Sequence, residues 1–171
     1  SHPLAVAFVD GVQRPDRRIT AEGDGLPVGG MLASYAAGAV FPGDAPAFRH
    51  VSVRRDVILA GGRRAPIIPV QALNTCLEYL PASSGGDDDA SLQAALNDRR
   101  SKLEQEVVRR VQDEGVVDLL VIDGRLPLAT RGAIGFIKTL QHIYIADPSQ
   151  VRVLHELKPG QRSPVFAIER N

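Results

Sequence analysis

Two apolar runs far apart in the chain end in the same arrangement, Phe8-Val9-Asp10-Gly11 and Val121-Ile122-Asp123-Gly124. A short β-capable run that closes on Asp-Gly reads as a buried strand delivering a carboxylate at its carboxy-terminal end. The repetition constrains the fold, because two such strands can meet as neighbours in one sheet. Asp-Gly is also a common turn dipeptide, so either site taken alone reads as a turn. Two or three carboxylates converging at buried strand ends are costly unless a divalent cation offsets their repulsion.

The rest of the chain supplies material for a sheet with helices. Leu4–Val9 reads as the first strand, Arg17–Glu22 as a second after the Arg-Pro-Asp turn signal, and Val28–Val40 as a third. The many Gly and Ala residues of the third suit close approach of another backbone, although periodicity alone also permits a buried helix. Val57-Ile58-Leu59 and Ile67-Ile68-Pro69-Val70 bracket Gly61-Gly62 and predict a β-hairpin, an insertion or edge ribbon. Residues 81–90, with Ser, Gly and three consecutive Asp, read as a flexible loop. Ser91–Glu114 has no Gly or Pro, an acidic lead and Gly115 at its end, which predicts a long helix. Val116–Ile122 reads as a central strand and Gly132–Tyr144 as a helix broken by Asp147-Pro148. Val151–Leu157 and Pro164–Ile168 read as two more strands joined by the Pro159-Gly160 turn.

Length and charge exclude little but narrow the class. The 171 residues suffice for one domain over 1–171 without disulfides or a structural metal. Twenty Lys+Arg against 20 Asp+Glu argue against a polybasic tail, yet not against a local basic groove. The single Cys76 removes an internal disulfide framework and any Cys-based zinc site, in keeping with a cytoplasmic protein. Apolar runs stop short of the roughly 20 residues of a spanning helix, so no membrane is expected. Ser1-His2 in place of Met reads as a tag remnant, leaving open a fragment of a longer chain.

The long helix contributes a third acid. Leu96, Leu103, Val107 and Val111 mark its apolar face, and Glu104 has Val107, Val108 and Val111 at i+3, i+4 and i+7, against that stripe. Glu106 points elsewhere, about 200° around the helix. Glu104 equally suits a simple ion pair with Arg100 one turn earlier. Asp10, Glu104 and Asp123 are the oxygen ligands that hard cations such as Mg²⁺ and Mn²⁺ take, and a pair of such ions activates water and stabilises the leaving oxygen in phosphodiester hydrolysis. Lys138, 15 residues after Asp123, is placed to contact the scissile phosphate, whereas taken alone it reads as a solvated lysine. His142 and Tyr144 follow on the same segment without a firm role. Of the 20 cationic residues only Lys102, Lys138 and Lys158 are lysines, and Arg17/Arg18, Arg54/Arg55, Arg63/Arg64, Arg99/Arg100 and Arg109/Arg110 form pairs. Such forks suit phosphates if they share a face, and otherwise are solvated surface.

The strand-Asp10-Gly, the helix with Arg100-x-x-x-Glu104, then Leu-Val-Ile-Asp123-Gly-x-Leu and Gly-Phe-Ile-Lys138-Thr together resemble the NurA nuclease family over most of the chain. The resemblance implies an α/β fold, an RNase H-like mixed sheet with flanking helices and a β-hairpin insertion. It implies that Asp10, Glu104 and Asp123 bind Mn²⁺, with Mg²⁺ as the alternative, and that DNA is cleaved from ends or as single strands in DNA-end resection and repair. It further implies a homodimer that works with a HerA-type hexameric ATPase. Glu106 remains the alternative to Glu104 as the helix ligand. Members generally continue into a carboxy-terminal region that supplies a further metal-proximal His, for which His155 is the candidate here. The non-enzymatic alternative is an RNase H-like interaction module docking onto the ATPase. A third, an Argonaute-like guide-binding fragment, has no guide-end pocket signature to support it.

Overall fold

The apolar run that opens the chain does not turn at Asp10-Gly11. In the computed structural model it continues as β1 (Val6–Gly23), paired antiparallel along its length with β2 (Leu26–Phe41). The two separate strands expected over Leu4–Val9 and Arg17–Glu22 are therefore one. Pro15 cannot donate to a ladder, and the register shifts between Pro15 and Arg17, so Arg-Pro-Asp makes a bulge rather than a turn. The structure describes residues 4–163 apart from Asp24, Arg125, Ala146 and residues 127–131 and 137–144. The expected Pro164–Ile168 strand lies outside those residues.

The small-residue stretch is a strand, with Met31, Ala33, Tyr35, Ala37 and Ala39 buried at period two. β3 (Ala47–Leu59) pairs antiparallel with β2. The hairpin forms one element later than expected. β4 (Ile68–Ala72) pairs antiparallel with β5 (Thr75–Ser83), and β5 joins β3 in parallel, so Gly61-Gly62 carries the chain away from β3 instead of folding it back. Both glycines have positive φ, and their N–H groups donate to Gly86 O and Ser84 O.

The segment read as a loop over 81–90 is mostly regular structure. Pro81–Ser83 complete β5, Ser84 is buried, and Asp89 and Ala90 already belong to α1 (Asp89–Glu114). The acidic run acts as a cap: Asp88 accepts from Ser91 N at 2.7 Å. Gly115, in the left-handed conformation, ends the helix as expected. Leu92, Leu96, Leu103, Val107, Val108 and Val111 bury one stripe of α1, which packs on β1, β2 and β3. At about 1.5–3 kcal/mol for each large apolar side chain fully buried, this packing outweighs helix propensity in holding α1 in place.

The strand expected over Val116–Ile122 forms as β6 (Leu119–Asp123), which pairs parallel with β1 and lies next to the sheet edge rather than at its centre, because β7 (Ala133–Phe136) alone pairs outside it, also in parallel. The helix expected over Gly132–Tyr144 thus begins as a strand, and residues 137–144 lie outside the described residues. A Cβ on Gly135 would run into Gly124 O, so this pairing depends on a glycine. The strand order is β4-β5-β3-β2-β1-β6-β7, a seven-stranded mixed sheet in a mixed α/β fold.

By its internal contacts the chain divides into two units, Ser1–Phe136 and Ile137–Asn171. The second holds α2 (Pro148–Glu156), where a strand over Val151–Leu157 was expected. Asp147-Pro148 starts this helix rather than breaking one. Asp147 accepts from Ser149 N at 2.8 Å, and Pro in the first turn sacrifices no helical hydrogen bond. Among the described residues no helix is long and apolar enough to cross a membrane.

Candidate active site

The parallel register of β1 and β6 aligns Val9 with Ile122, so Asp10 and Asp123 follow at the same level on adjacent central strands. The expectation that the two Asp-Gly sites meet in one sheet is met. Their local geometries differ. Asp10-Gly11 lies inside β1, whereas Asp123 ends β6 and Gly124 turns the chain with φ +82°.

α1 lays Glu104 across this junction. A Cβ on Gly11 would collide with the carboxylate end of Glu104, so the glycine is what lets the acid approach the strand. Arg100 lies one turn earlier, its Nη1 3.2 Å from Glu104 Oε1, and the same nitrogen donates to Gly11 O at 3.4 Å. Glu104 is largely buried, with 15% of its side chain exposed. Burial pushes its carboxyl above the usual range, Arg100 opposes that, and the charges of Asp10 and Asp123 raise it further. Glu104 therefore senses the charges of both aspartates.

Glu104, Asp123, Arg100, Ser101, Gln105 and Gly124 line a cavity of about 260 Å³. Asp10 is not among its lining residues. Alternation along β1 sets Val9 and Gly11 toward α1 and starts the Asp10 side chain on the opposite face, where Asp10 Oδ1 accepts from Gly11 N at 2.8 Å. The structure thus sets Glu104 and Asp123 on one cavity, while Asp10, outside its lining, acts on Glu104 through its charge, ahead of Asp123. Among the described residues, no three His, Cys, Asp or Glu side chains form a ready-made cation group. The donor chemistry nevertheless suits a hard cation. Carboxylate oxygens are the preferred ligands, and the like-charge repulsion that raises Glu104 is what such an ion relieves.

Glu106 is directed away, as expected. Its two oxygens take both ends of the Arg54 guanidinium at 3.2 and 2.6 Å. Lys138, His142 and Tyr144 lie outside the described residues. His155, expected on a strand, is on α2 in the second unit. Several of the paired arginines hold acids of their own chain: Arg18 bonds Asp89, Arg54 bonds Glu106, and Arg99 bonds Asp56.

That last contact belongs to a buried network which the sequence reading missed. Asp56 on β3 is 2% exposed, accepts from Tyr35 Oη at 2.7 Å, and is tied to Arg99 Nε. Burial, with Asp56 second, pushes the Tyr35 hydroxyl up to about 12. A signal was present. The α1 stripe of Leu92, Leu96 and Leu103 leaves an apolar position vacant at Arg99/Arg100, and a basic residue inside such a stripe calls for a buried acid.

Compared with protein-family models and with curated proteins, the chain matches none of either.

Proposed function

We propose that this protein is a metal-dependent deoxyribonuclease that hydrolyses phosphodiester bonds, an RNase H-like nuclease of the NurA type using Mn²⁺, or Mg²⁺ in its place. The observation that carries the reading is the meeting of Glu104 and Asp123 with Arg100 in one cavity, beside Asp10, where the parallel pairing of β1 with β6 ends. The mixed sheet supports the fold assignment: a β1-β2-β3 meander, then α1 crossing over to β6 beside β1.

Glu104, Asp123 and Asp10 are the residues that would hold the cation. When bound, the ion supplies a Lewis acid that activates water and stabilises the departing oxygen. The chain's own residues do the rest. β1 and β6 fix Asp10 and Asp123 on rigid elements, and Gly11 admits Glu104. The enclosure that lifts the Glu104 carboxyl also strengthens every electrostatic contact made in the cavity. DNA-end processing in the cytoplasm, a homodimer and a HerA-type ATPase partner complete the proposal.

The test is cleavage of end-labelled single-stranded and linear duplex DNA in Mn²⁺. Wild type and Glu106→Gln should cut, while Asp123→Ala and Glu104→Gln should lose at least a hundredfold. Inert wild type, or an active Asp123→Ala, rejects the nuclease. A second reading, an inactive module docking onto the ATPase, draws on two observations: Arg100 already neutralises Glu104, and Asp10 starts on the other sheet face. It predicts co-sedimentation with the ATPase ring and no metal-dependent cleavage.

A further inference from the structure

We propose that Arg100 is a phosphate-binding residue held in reserve, paired with Glu104 until a divalent cation takes that carboxylate and frees the guanidinium for the DNA backbone. The inference rests on the nuclease reading and adds a residue and an order of events to it. Three observations carry it.

First, the donor capacity of Arg100 is not fully met within the chain. Its Nη1 is shared between Glu104 Oε1 and Gly11 O at 3.2 and 3.4 Å, and its Nε is buried with no hydrogen-bond partner among the described residues. A guanidinium has five N–H donors and no uncharged form to retreat to, so a buried unmet donor costs free energy until an acceptor arrives.

Second, the side chain lines the cavity that Glu104 and Asp123 line, with about a third of its surface exposed. An acceptor entering the cavity meets it without unfolding anything. Its neighbour shows the contrast. Arg99 is committed to Asp56, an acid buried in the sheet, and has no part in the cavity lining.

Third, the charges make the exchange reciprocal. Arg100 is the cation paired with the Glu104 carboxylate, Nη1 to Oε1 at 3.2 Å, in a cavity that Asp123 also lines. A divalent ion competes for the same oxygen and repels the guanidinium, while a phosphate binds ion and guanidinium together. Arg100 should therefore oppose the metal when DNA is absent and favour DNA once the metal is bound. The fork of Arg, rather than charge alone, suits two phosphate oxygens.

The experiment uses wild type, Arg100→Met and Arg100→Lys, with two readouts that need no turnover. Mn²⁺ affinity of the DNA-free protein is measured by the electron paramagnetic resonance of free Mn²⁺. DNA affinity at saturating Mn²⁺ is measured by fluorescence anisotropy with a phosphorothioate-linked, hydrolysis-resistant oligonucleotide. Arg100→Met should bind Mn²⁺ about three- to tenfold more tightly and DNA at least tenfold more weakly. Arg100→Lys, which keeps the charge and loses the fork, should return Mn²⁺ affinity toward wild type without restoring DNA affinity. A residue serving only to pack or cap α1 gives no such opposite movement. Wild-type binding and cleavage with both affinities unchanged in Arg100→Met, or both weakened, overturns the role of Arg100 and leaves the nuclease standing. Wild type that neither binds Mn²⁺ nor cuts DNA removes the nuclease and this role together.

Discussion

Gly11→Ala separates the need of the fold from the need of the site. Gly11 lies within β1, where a glycine is normally a liability of roughly 0.5–1 kcal/mol relative to alanine. The added methyl meets Glu104 first, its Oε1 and then Cγ and Cδ, and no backbone atom is among its three nearest neighbours. If the carboxylate swings away, the loss is its ion pair with a partly exposed Arg100, about 0–1 kcal/mol. If it stays, overpacking costs roughly 1–3 kcal/mol, so the side chain should move. The two small terms oppose each other, and net stability should change by less than about 1 kcal/mol. Activity should not be spared, because a ligand displaced by about 1 Å costs on the order of a hundredfold in rate. Urea denaturation midpoints and Mn²⁺-dependent cleavage, measured on the same preparations, check both halves. A loss of more than 3 kcal/mol would show that the methyl strikes something that cannot yield. Full activity at unchanged stability would show that the position of Glu104 is irrelevant to the chemistry.

Three further outcomes follow from the packing and the charges. Asp56→Ala leaves Arg99 and Tyr35 without their shared acceptor and should cost about 3 kcal/mol or more, against about 1.5–3 kcal/mol for Tyr35→Phe, both read from denaturant midpoints; equal, negligible effects would show the network to be ornamental. Leu103→Ala empties a fully buried position under α1 and should lower stability by about 2–5 kcal/mol, visible as a drop in melting temperature, whereas a surface-like change below 0.5 kcal/mol contradicts the packing. Because the folded carboxyl of Glu104 titrates above its unfolded value, the native state holds the extra proton between the two, and stability falls as pH rises through that window. Glu104→Gln abolishes the titration, so the variant should match wild type most closely in acid and gain on it toward neutral pH; a gain that shrinks with rising pH reverses the sign and refutes the burial argument.

How much of this was legible depends on whether a residue's role is set by its neighbours in sequence or across the sheet. α1 was readable because stripe, acidic lead and terminal glycine all lie within one segment. The β4–β5 hairpin was displaced because Ile67–Val70 has no local property that prefers the strand before it to the strand after it; pairing of β5 with β3 decides the matter at long range. Ala133–Phe136 reads as a helix start until one sees that its backbone must lie against Leu120–Asp123, with Gly135 under Gly124. Asp147-Pro148 carries the same two residues whether it breaks one helix or starts another, and only the chain that follows distinguishes them.

The two Asp-Gly steps make the point about function. Identical in sequence and adjacent in the sheet, they perform different tasks: Gly124 turns the chain, while Gly11 stays extended and yields its side-chain space to Glu104. The pleat then decides the acids. One residue's shift along a strand moves a side chain to the other face, so Asp10 after buried Val9 and Asp123 after buried Ile122 begin on the same side, and Asp123 lines the cavity where β6 ends while Asp10 lies inside β1. A pattern of acids closing apolar runs therefore predicts proximity, which the register supplies, but not which acid lines the cavity. If all three act on one ion, Asp10 must reach it just past Val9, where the β1–β6 pairing stops, and a shortened or bulkier side chain should separate its contribution from that of Asp123. Asp10→Asn should weaken Mn²⁺ affinity less than Asp123→Asn, since only the latter removes a cavity-lining charge; the reverse order in a titration of the two variants would place the ion on the other face of the sheet.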